Sequence, residues 1–327
     1  MLAQQSDIFV KLQIIFLPTA SLLADTNSRS QALERLLAIG QHNRVASSAQ
    51  TLLCQMMGVA KQADWPIAPF SWAGEGGEPG VDYWLCADPV HLILQRDSFS
   101  LSAPAPLAVT PQDAQVLAAK LNQHFVADGL QFQLGDSGRW YLRLETPPAI
   151  TTSLPEAAID RDISPFLPQG AGAAKWNRLL NEIQMLVFEH PVNVARESRG
   201  ELAINSIWLS GGGVLTQQLN PSIKAIYADG SLAKGLAATA NMPYFAVPDG
   251  LSGLLGAEGD MVLMLDDAED AERKWFAPLL QALRSRKITE LNIHLLMRDQ
   301  LLQVLVKPMD CWKFWRKTKL LEAYFHG

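Results

Sequence analysis

Near its start the chain carries the run Ile8-Phe9-Val10-Lys11-Leu12-Gln13-Ile14-Ile15-Phe16-Leu17-Pro18. Lys11 and Gln13 interrupt it and no basic residue precedes its apolar part, so it does not read as a secretory leader. It reads as a buried strand over 12–18, ended by Pro18. An amphipathic helix is predicted next, from Ser28 to Ile39, with Leu33, Leu36, Leu37 and Ile39 on one stripe and Gly40 as its stop. Ala49 to Met57 is a second apolar helix, closed by Gly58. The same texture returns late in the chain. Ser206 to Leu209, Ala225 to Tyr227 and Met261 to Leu265 read as buried strands. Glu272 to Ser285 reads as a long helix, and Glu290 to Leu296 and Leu302 to Val306 as closing strands.

The middle differs. Ser71 to Asp82 holds Gly74, Gly76, Gly77 and Gly80 and is predicted as loop. Tyr83 to Ala87, His91 to Gln95 and Phe99 to Leu101 read as short strands. Thr110-Pro111 caps a helix that carries Val116, Leu117, Leu121 and Phe125 inward and stops at Gly129. Leu130 to Leu134 and Trp140 to Leu144 form a hairpin about Gly135-Asp136-Ser137-Gly138. A helix from Ala173 to Phe188 follows. Strand–helix alternation at both ends around an antiparallel middle predicts an α/β fold. The expected core, a mainly parallel sheet, takes residues 1–82 and 201–327, and residues 83–200 form an inserted α+β subdomain.

The chain has 327 residues, 48% of them hydrophobic and 18% charged, which excludes a largely disordered protein. A net charge of −6 argues against a general nucleic-acid binder. No apolar stretch approaches the ~20 residues of a membrane span. Neither nucleic acid nor membrane is therefore an expected partner. Cys54, Cys86 and Cys311 show no C-x-x-C spacing, which speaks against a disulfide framework or zinc site and fits a cytoplasmic location. Lys313, Arg316, Lys317 and Lys319 interleave with Trp312, Phe314 and Trp315. That pattern suits either nucleic-acid stacking or basic residues flanking buried aromatics at a strand edge; the second is expected.

Chemistry-bearing residues concentrate in His190-Pro191-Val192-Asn193, Arg196, Arg199-Gly200 and Asn205-Ser206-Ile207-Trp208-Leu209-Ser210-Gly211-Gly212-Gly213, then Lys234-Gly235. The triple glycine could cradle a phosphate through backbone amides or form a tight turn. No G-K-[S/T] follows, so it is not a nucleotide P-loop. Asp266, Asp267, Glu269 and Asp270 could hold a divalent ion through oxygen ligands or form a solvated helix start. His42, His124 and His326 fall in helix or tail contexts. His294 falls in an apolar strand and is expected to be a hydrogen-bonded core residue.

The stretch from Asp162 to Gly213, with Asp229-Gly230-Ser231-Leu232-Ala233-Lys234-Gly235-Leu236, resembles the archaeal-type cofactor-independent phosphoglycerate mutases of the alkaline phosphatase superfamily. Nearly the whole chain resembles the bacterial proteins known as RpfE-type regulatory proteins or as phosphoglycerate mutases of the cofactor-independent family, with Tyr83 to Leu92 and Asp310 to Arg316 as further supporting stretches. The resemblance implies an alkaline-phosphatase-like fold. In the mutases it also implies a phosphoserine and two divalent ions, whose ligands include an Asp-x-x-x-His pair and an Asp-His dipeptide. This sequence contains neither pattern. Its first strand ends Leu17-Pro18-Thr19 where Asp-Gly is expected, and Leu265-Asp266-Asp267-Ala268-Glu269 lacks a histidine.

By the same resemblance Ser48, or its neighbour Ser47, is the candidate nucleophile, with helix capping as the structural alternative. Arg196 and Lys234 are the candidate anion-binding residues, with Asn193 and Asn205 orienting them. Turn formation and a structural ion pair are the alternatives for these residues. Ser210 stands where the mutases carry an arginine. The expectation is a non-catalytic regulatory or ligand-binding relative that has lost its metal ligands and needs no cofactor. Its partner would be a small phosphorylated or carboxylated metabolite, or another protein. The alternative is a divergent mutase interconverting 2- and 3-phosphoglycerate, with Mn or Mg held by carboxylates such as Asp266 and Asp267.

Overall fold

The computed structural model describes residues 10–17, 30–96, 98–103, 107–254, 259–266, 270–297 and 300–324. Along the chain it forms β1 (Val10–Leu17), α1 (Gln31–Ile39), β2 (Gln41–Val45), α2 (Ala49–Met56) and α3 (Ile67–Gly74). Then come β3 (Tyr83–Val90), β4 (Leu92–Leu94), β5 (Phe99–Leu101), α4 (Pro111–His124), β6 (Gln131–Leu134) and β7 (Trp140–Leu144). Next are α5 (Ala173–Phe188), α6 (Pro191–Ser198), β8 (Ser206–Gly213), β9 (Ala225–Tyr227), α7 (Ser231–Thr239) and β10 (Tyr244–Phe245). The chain closes with β11 (Met261–Asp266), a π turn (Glu272–Phe276) running into α8 (Ala277–Arg284), β12 (Ile288–Met297) and β13 (Gln300–Val306).

Two compact units result: one from residues 1–58, 220–229 and 240–327, the other from 59–219 and 230–239. The first unit holds a seven-stranded sheet in the order β10-β9-β11-β1-β12-β13-β2. Its strands from β10 to β12 run parallel, and β13 and β2 are antiparallel additions. In β1 Leu12, Ile14, Ile15 and Phe16 are all buried, the near-continuous apolar run a central parallel strand requires. Phe16 meets Phe276 edge to face at 5.1 Å, and Leu33, Leu36, Leu37, Leu279 and Leu283 complete that layer. Glu272 caps α1, accepting from the backbone N–H of Ala32 at 2.6 Å and of Leu33 at 3.3 Å.

The second unit is built on an antiparallel sheet, β6-β7-β3-β8, with the separate β4–β5 hairpin. Its core joins Leu85, Leu142 and Leu209 of the sheet to Leu117 and Leu121 of α4 and Trp176 and Ile183 of α5. This is the α/β fold with a mainly parallel core and an α+β subdomain that the sequence predicts. Among the described residues no helix is long and apolar enough to cross a membrane.

Several local expectations are corrected. Ser71 to Gly74 is the last turn of α3, not loop. Ile67, Ala68, Phe70 and Ser71 are buried, and α3 packs on α7 through two glycines. A Cβ on Gly74 would collide with the Ser231 carbonyl, and one on Gly235 with the Phe70 carbonyl, so tertiary packing outweighs the weak helix propensity of glycine here. The two units break at 58/59, 219/220, 229/230 and 239/240. Val116 is 39% exposed rather than buried. His42 lies in the edge strand β2, not in a helix.

Candidate functional site

The expected anion-binding residues are best followed from α6. Pro191 opens this helix, and the His190 ring accepts from the Val192 N–H at 3.3 Å as its cap. The helix therefore turns Asn193 and Arg196 inward, where both are buried. The Asn193 amide donates to the carbonyls of Val187 (2.7 Å) and Ile204 (2.8 Å), and its Oδ1 accepts from the Ile204 N–H at 2.8 Å. Asn193 thus ties the end of α5 to the segment leading into β8.

Arg196 has no solvent exposure. Its Nε donates to the Leu202 carbonyl at 2.8 Å. Its Nη1 reaches Asp113 Oδ2 at 3.1 Å and the Ala108 carbonyl at 3.5 Å, and Nη2 donates to the Leu107 carbonyl. Glu201 adds a carboxylate 3.5 Å from Nη1. All three guanidinium nitrogens are committed to the protein itself. Asn205 closes a two-way pair with Leu92, its Oδ1 accepting at 2.7 Å and its Nδ2 donating at 2.8 Å. It extends the β3–β8 pairing one step further with a side chain. Lys234 lies exposed on α7, with no ion pair among the described residues. The structure thus sets Asn193 and Arg196 side by side as internal ties, Asn205 as a pin on β4, and Lys234 apart on a helix surface.

The triple glycine is neither a phosphate loop nor a tight turn. Gly211, Gly212 and Gly213 are the buried end of β8. Gly211 takes φ +63°, in the region that favours glycine, close to where the β3–β8 register slips. Added Cβ atoms would strike Ile67, the Tyr83 hydroxyl and Pro66, so the glycines admit α3 and the Tyr83 ring. Ser48 is the N-cap of α2: its Oγ accepts from the Thr51 N–H at 3.0 Å and donates to Thr51 Oγ1 at 3.1 Å.

Asp266 ends β11, its backbone in register with Leu17, while Asp267 lies outside the described residues, as do Pro18, Thr19 and His326. Among the described residues no group of three or more His, Cys, Asp and Glu side chains is placed to hold a metal ion. His294 is a core residue, as expected: its Nε2 lies 2.8 Å from Gln13 Oε1, and burial lowers its pKa to about 4.

Sequence reasoning missed a half-buried polar cluster on the sheet of the second unit. Asp88 lies in β3 beside Arg139, at 3.4 Å, and accepts from the Trp140 N–H at 3.3 Å. Burial raises its pKa although Arg139 opposes the shift. Burial likewise raises Glu156, and pushes the neighbouring Cys86 thiol up to about 12. Glu75, at the end of α3, would be raised by burial alone. Bonds from the Ser137 hydroxyl (2.7 Å) and the Tyr141 hydroxyl (2.6 Å) outweigh that and hold it below the usual range. The one signal for this cluster was Asp88 inside an otherwise apolar strand.

A cavity of about 90 Å³ opens in the same unit. Phe99, Phe166 and Trp208 form apolar walls, and the amides of Asn177, Asn181 and Gln184 lie along one face of α5. The buried Oδ1 of Asn177 has no hydrogen-bond partner.

No protein-family model and no curated protein matches this sequence. Among the solved structures similar to it are two that span most of its length. One is the cofactor-independent phosphoglycerate mutase from Thermoplasma acidophilum DSM 1728, 17% identical over 92% of this chain and 90% of that one, with a TM-score of 0.39. The other is the PH0037 protein from Pyrococcus horikoshii, 13% identical over 92% of this chain and 88% of that one, with a TM-score of 0.44.

Proposed function

We propose that the chain is a non-catalytic regulatory or ligand-binding protein whose motifs derive from a cofactor-independent phosphoglycerate mutase. The reading is supported above all by Arg196. An arginine that holds a phosphate or carboxylate must turn its planar fork toward the ligand. Here the arginine in the substrate-holding position of the motif clamps the carbonyls of Leu107, Ala108 and Leu202 and the Asp113 carboxylate. A substrate residue has become a tie within the fold. Lys234 remains as the exposed cation for a small phosphorylated or carboxylated metabolite. The cavity beside α5, which Lys234 does not line, offers the amides of Asn177, Asn181 and Gln184 as a separate polar surface.

Two measurements on the purified protein test this. Interconversion of 2- and 3-phosphoglycerate with added Mn or Mg should not rise above a protein-free blank; turnover that scales with protein concentration overturns the reading. Melting curves recorded with 3-phosphoglycerate and related carboxylates should show a stabilising shift that Lys234→Ala diminishes. No shift with any of these anions removes the metabolite from the proposal.

A further inference from the structure

The C-terminal aromatics do not sit buried at a strand edge. Trp312 is 73% exposed, Phe314 83% and Trp315 64%. Trp312 ends a short 3-10 turn, Pro308–Trp312, after the last strand, and Phe314 and Trp315 come just beyond it. The backbone that carries them is nevertheless anchored. Arg35 of α1 donates Nη1 to the Arg316 carbonyl at 2.8 Å and Nη2 to the Lys313 carbonyl at 2.9 Å. Lys313 pairs with the buried Asp310 at 2.6 Å, and Leu321 and Tyr324 are buried just beyond. Folding thus fixes the turn at both ends and leaves its rings uncovered. Phe314 and Trp315 meet edge to face at 5.2 Å, which leaves each ring with an open face.

In sequence these rings interleave with Lys313, Arg316, Lys317 and Lys319; Lys313 is paired with Asp310, and between Asp310 and Glu322 the chain carries no carboxylate. Arg316, Lys317 and Lys319 are exposed and have no ion-pair partner among the described residues. The net charge of −6 belongs to the whole chain, whereas fields are screened beyond about 10 Å at 0.1 M salt, so the turn presents a locally positive surface.

We propose that this turn is a binding site for single-stranded nucleic acid, with bases stacking on Trp312, Phe314 and Trp315 and phosphates neutralised by Arg316, Lys317 and Lys319. Three exposed aromatic rings on an anchored backbone, interleaved with cations, meet both requirements of sequence-tolerant strand binding. An anionic lipid surface would match the charge, but its affinity would come from buried aliphatic area, and the segment offers only Met309 and Leu320 of that kind.

The test uses the full chain and a fluorescent dT12 oligonucleotide at low salt. Binding should weaken with salt at a log–log slope of about −2, near −0.7 for each of three phosphates neutralised. Trp312→Ala and Phe314→Ala should each weaken it about fivefold or more, with unchanged melting temperatures because both rings are exposed. A twelve-pair duplex should bind more weakly than dT12, since its bases are not free to stack. The proposal is overturned if dT12 does not bind, if the ring variants bind as tightly as the parent, or if vesicles of phosphatidylserine and phosphatidylcholine bind while dT12 does not.

Discussion

Arg196 Nη1 lies 3.1 Å from Asp113 Oδ2, joining the buried face of α6 to the first turn of α4 across 83 residues of chain. Asp113 also donates its backbone N–H to the Thr110 hydroxyl, so one acidic residue links a helix cap to an internal clamp. Arg196→Met should cost about 3 kcal/mol, because it strands Asp113 and three carbonyls that the guanidinium now serves. Arg196→Lys keeps the charge but not the fork and should recover only part of that loss. Urea unfolding of the variants checks this. A midpoint for Arg196→Met equal to that of the parent would show that the guanidinium is not a structural tie.

Lys234 and Gly235 are adjacent in the motif and should respond oppositely. Gly235 lies where α7 meets α3, and a methyl there runs into the Phe70 carbonyl, which is backbone and cannot step aside cheaply. Gly235→Ala should therefore destabilise by about 2–3 kcal/mol despite the better helix propensity of alanine. Lys234→Ala, on the exposed side of the same turn, should stay within about 0.5 kcal/mol. Thermal melts of the two variants side by side decide between a packing role and a ligand role for the glycine.

What the sequence disclosed and what it hid follow from range. The first strand, read over 12–18 and formed over Val10–Leu17, the Thr110 cap and the hairpin at Gly135 are local signals. The helix α3 was hidden because its reason is remote: two glycines, 161 positions apart, that let α3 and α7 touch. The edge strand β2, Gln41–Val45, is polar but for Val45 and exists because β13 offers it a partner. The surroundings of the candidate site residues were hidden for a related cause. A motif gives the identity of Asn193, Arg196 and Asn205, but only the fold shows that their polar atoms turn toward Ile204, Leu107 and Leu92. Exposure of Trp312 and Phe314 was equally invisible, since composition does not say which aromatics a core has room to cover.

His294 gives the fold a pH dependence whose sign is fixed by its burial. Gln13 Oε1 can only accept, so the neutral ring donates from Nε2 and leaves the buried Nδ1 without a partner. Protonating Nδ1 would place a charge in the core, and burial accordingly lowers the pKa from 6.5 to about 4. Above pH 6.5 the ring is neutral in both folded and unfolded chains, and its contribution to stability is complete. As the pH falls from 6.5 toward 4 the unfolded chain takes up a proton that the folded chain refuses, and stability drops. The full loss, reached below pH 4, is about 3 kcal/mol. His294→Gln has no such proton to take up. Its stability relative to the parent should therefore improve by about 2 kcal/mol or more between pH 7 and pH 4.5. Urea midpoints at pH 7, 5.5 and 4.5 test this directly, because other titrating groups cancel in the comparison. A difference between the two proteins that stays constant across that range would mean that His294 is solvated well enough to titrate normally in the folded state.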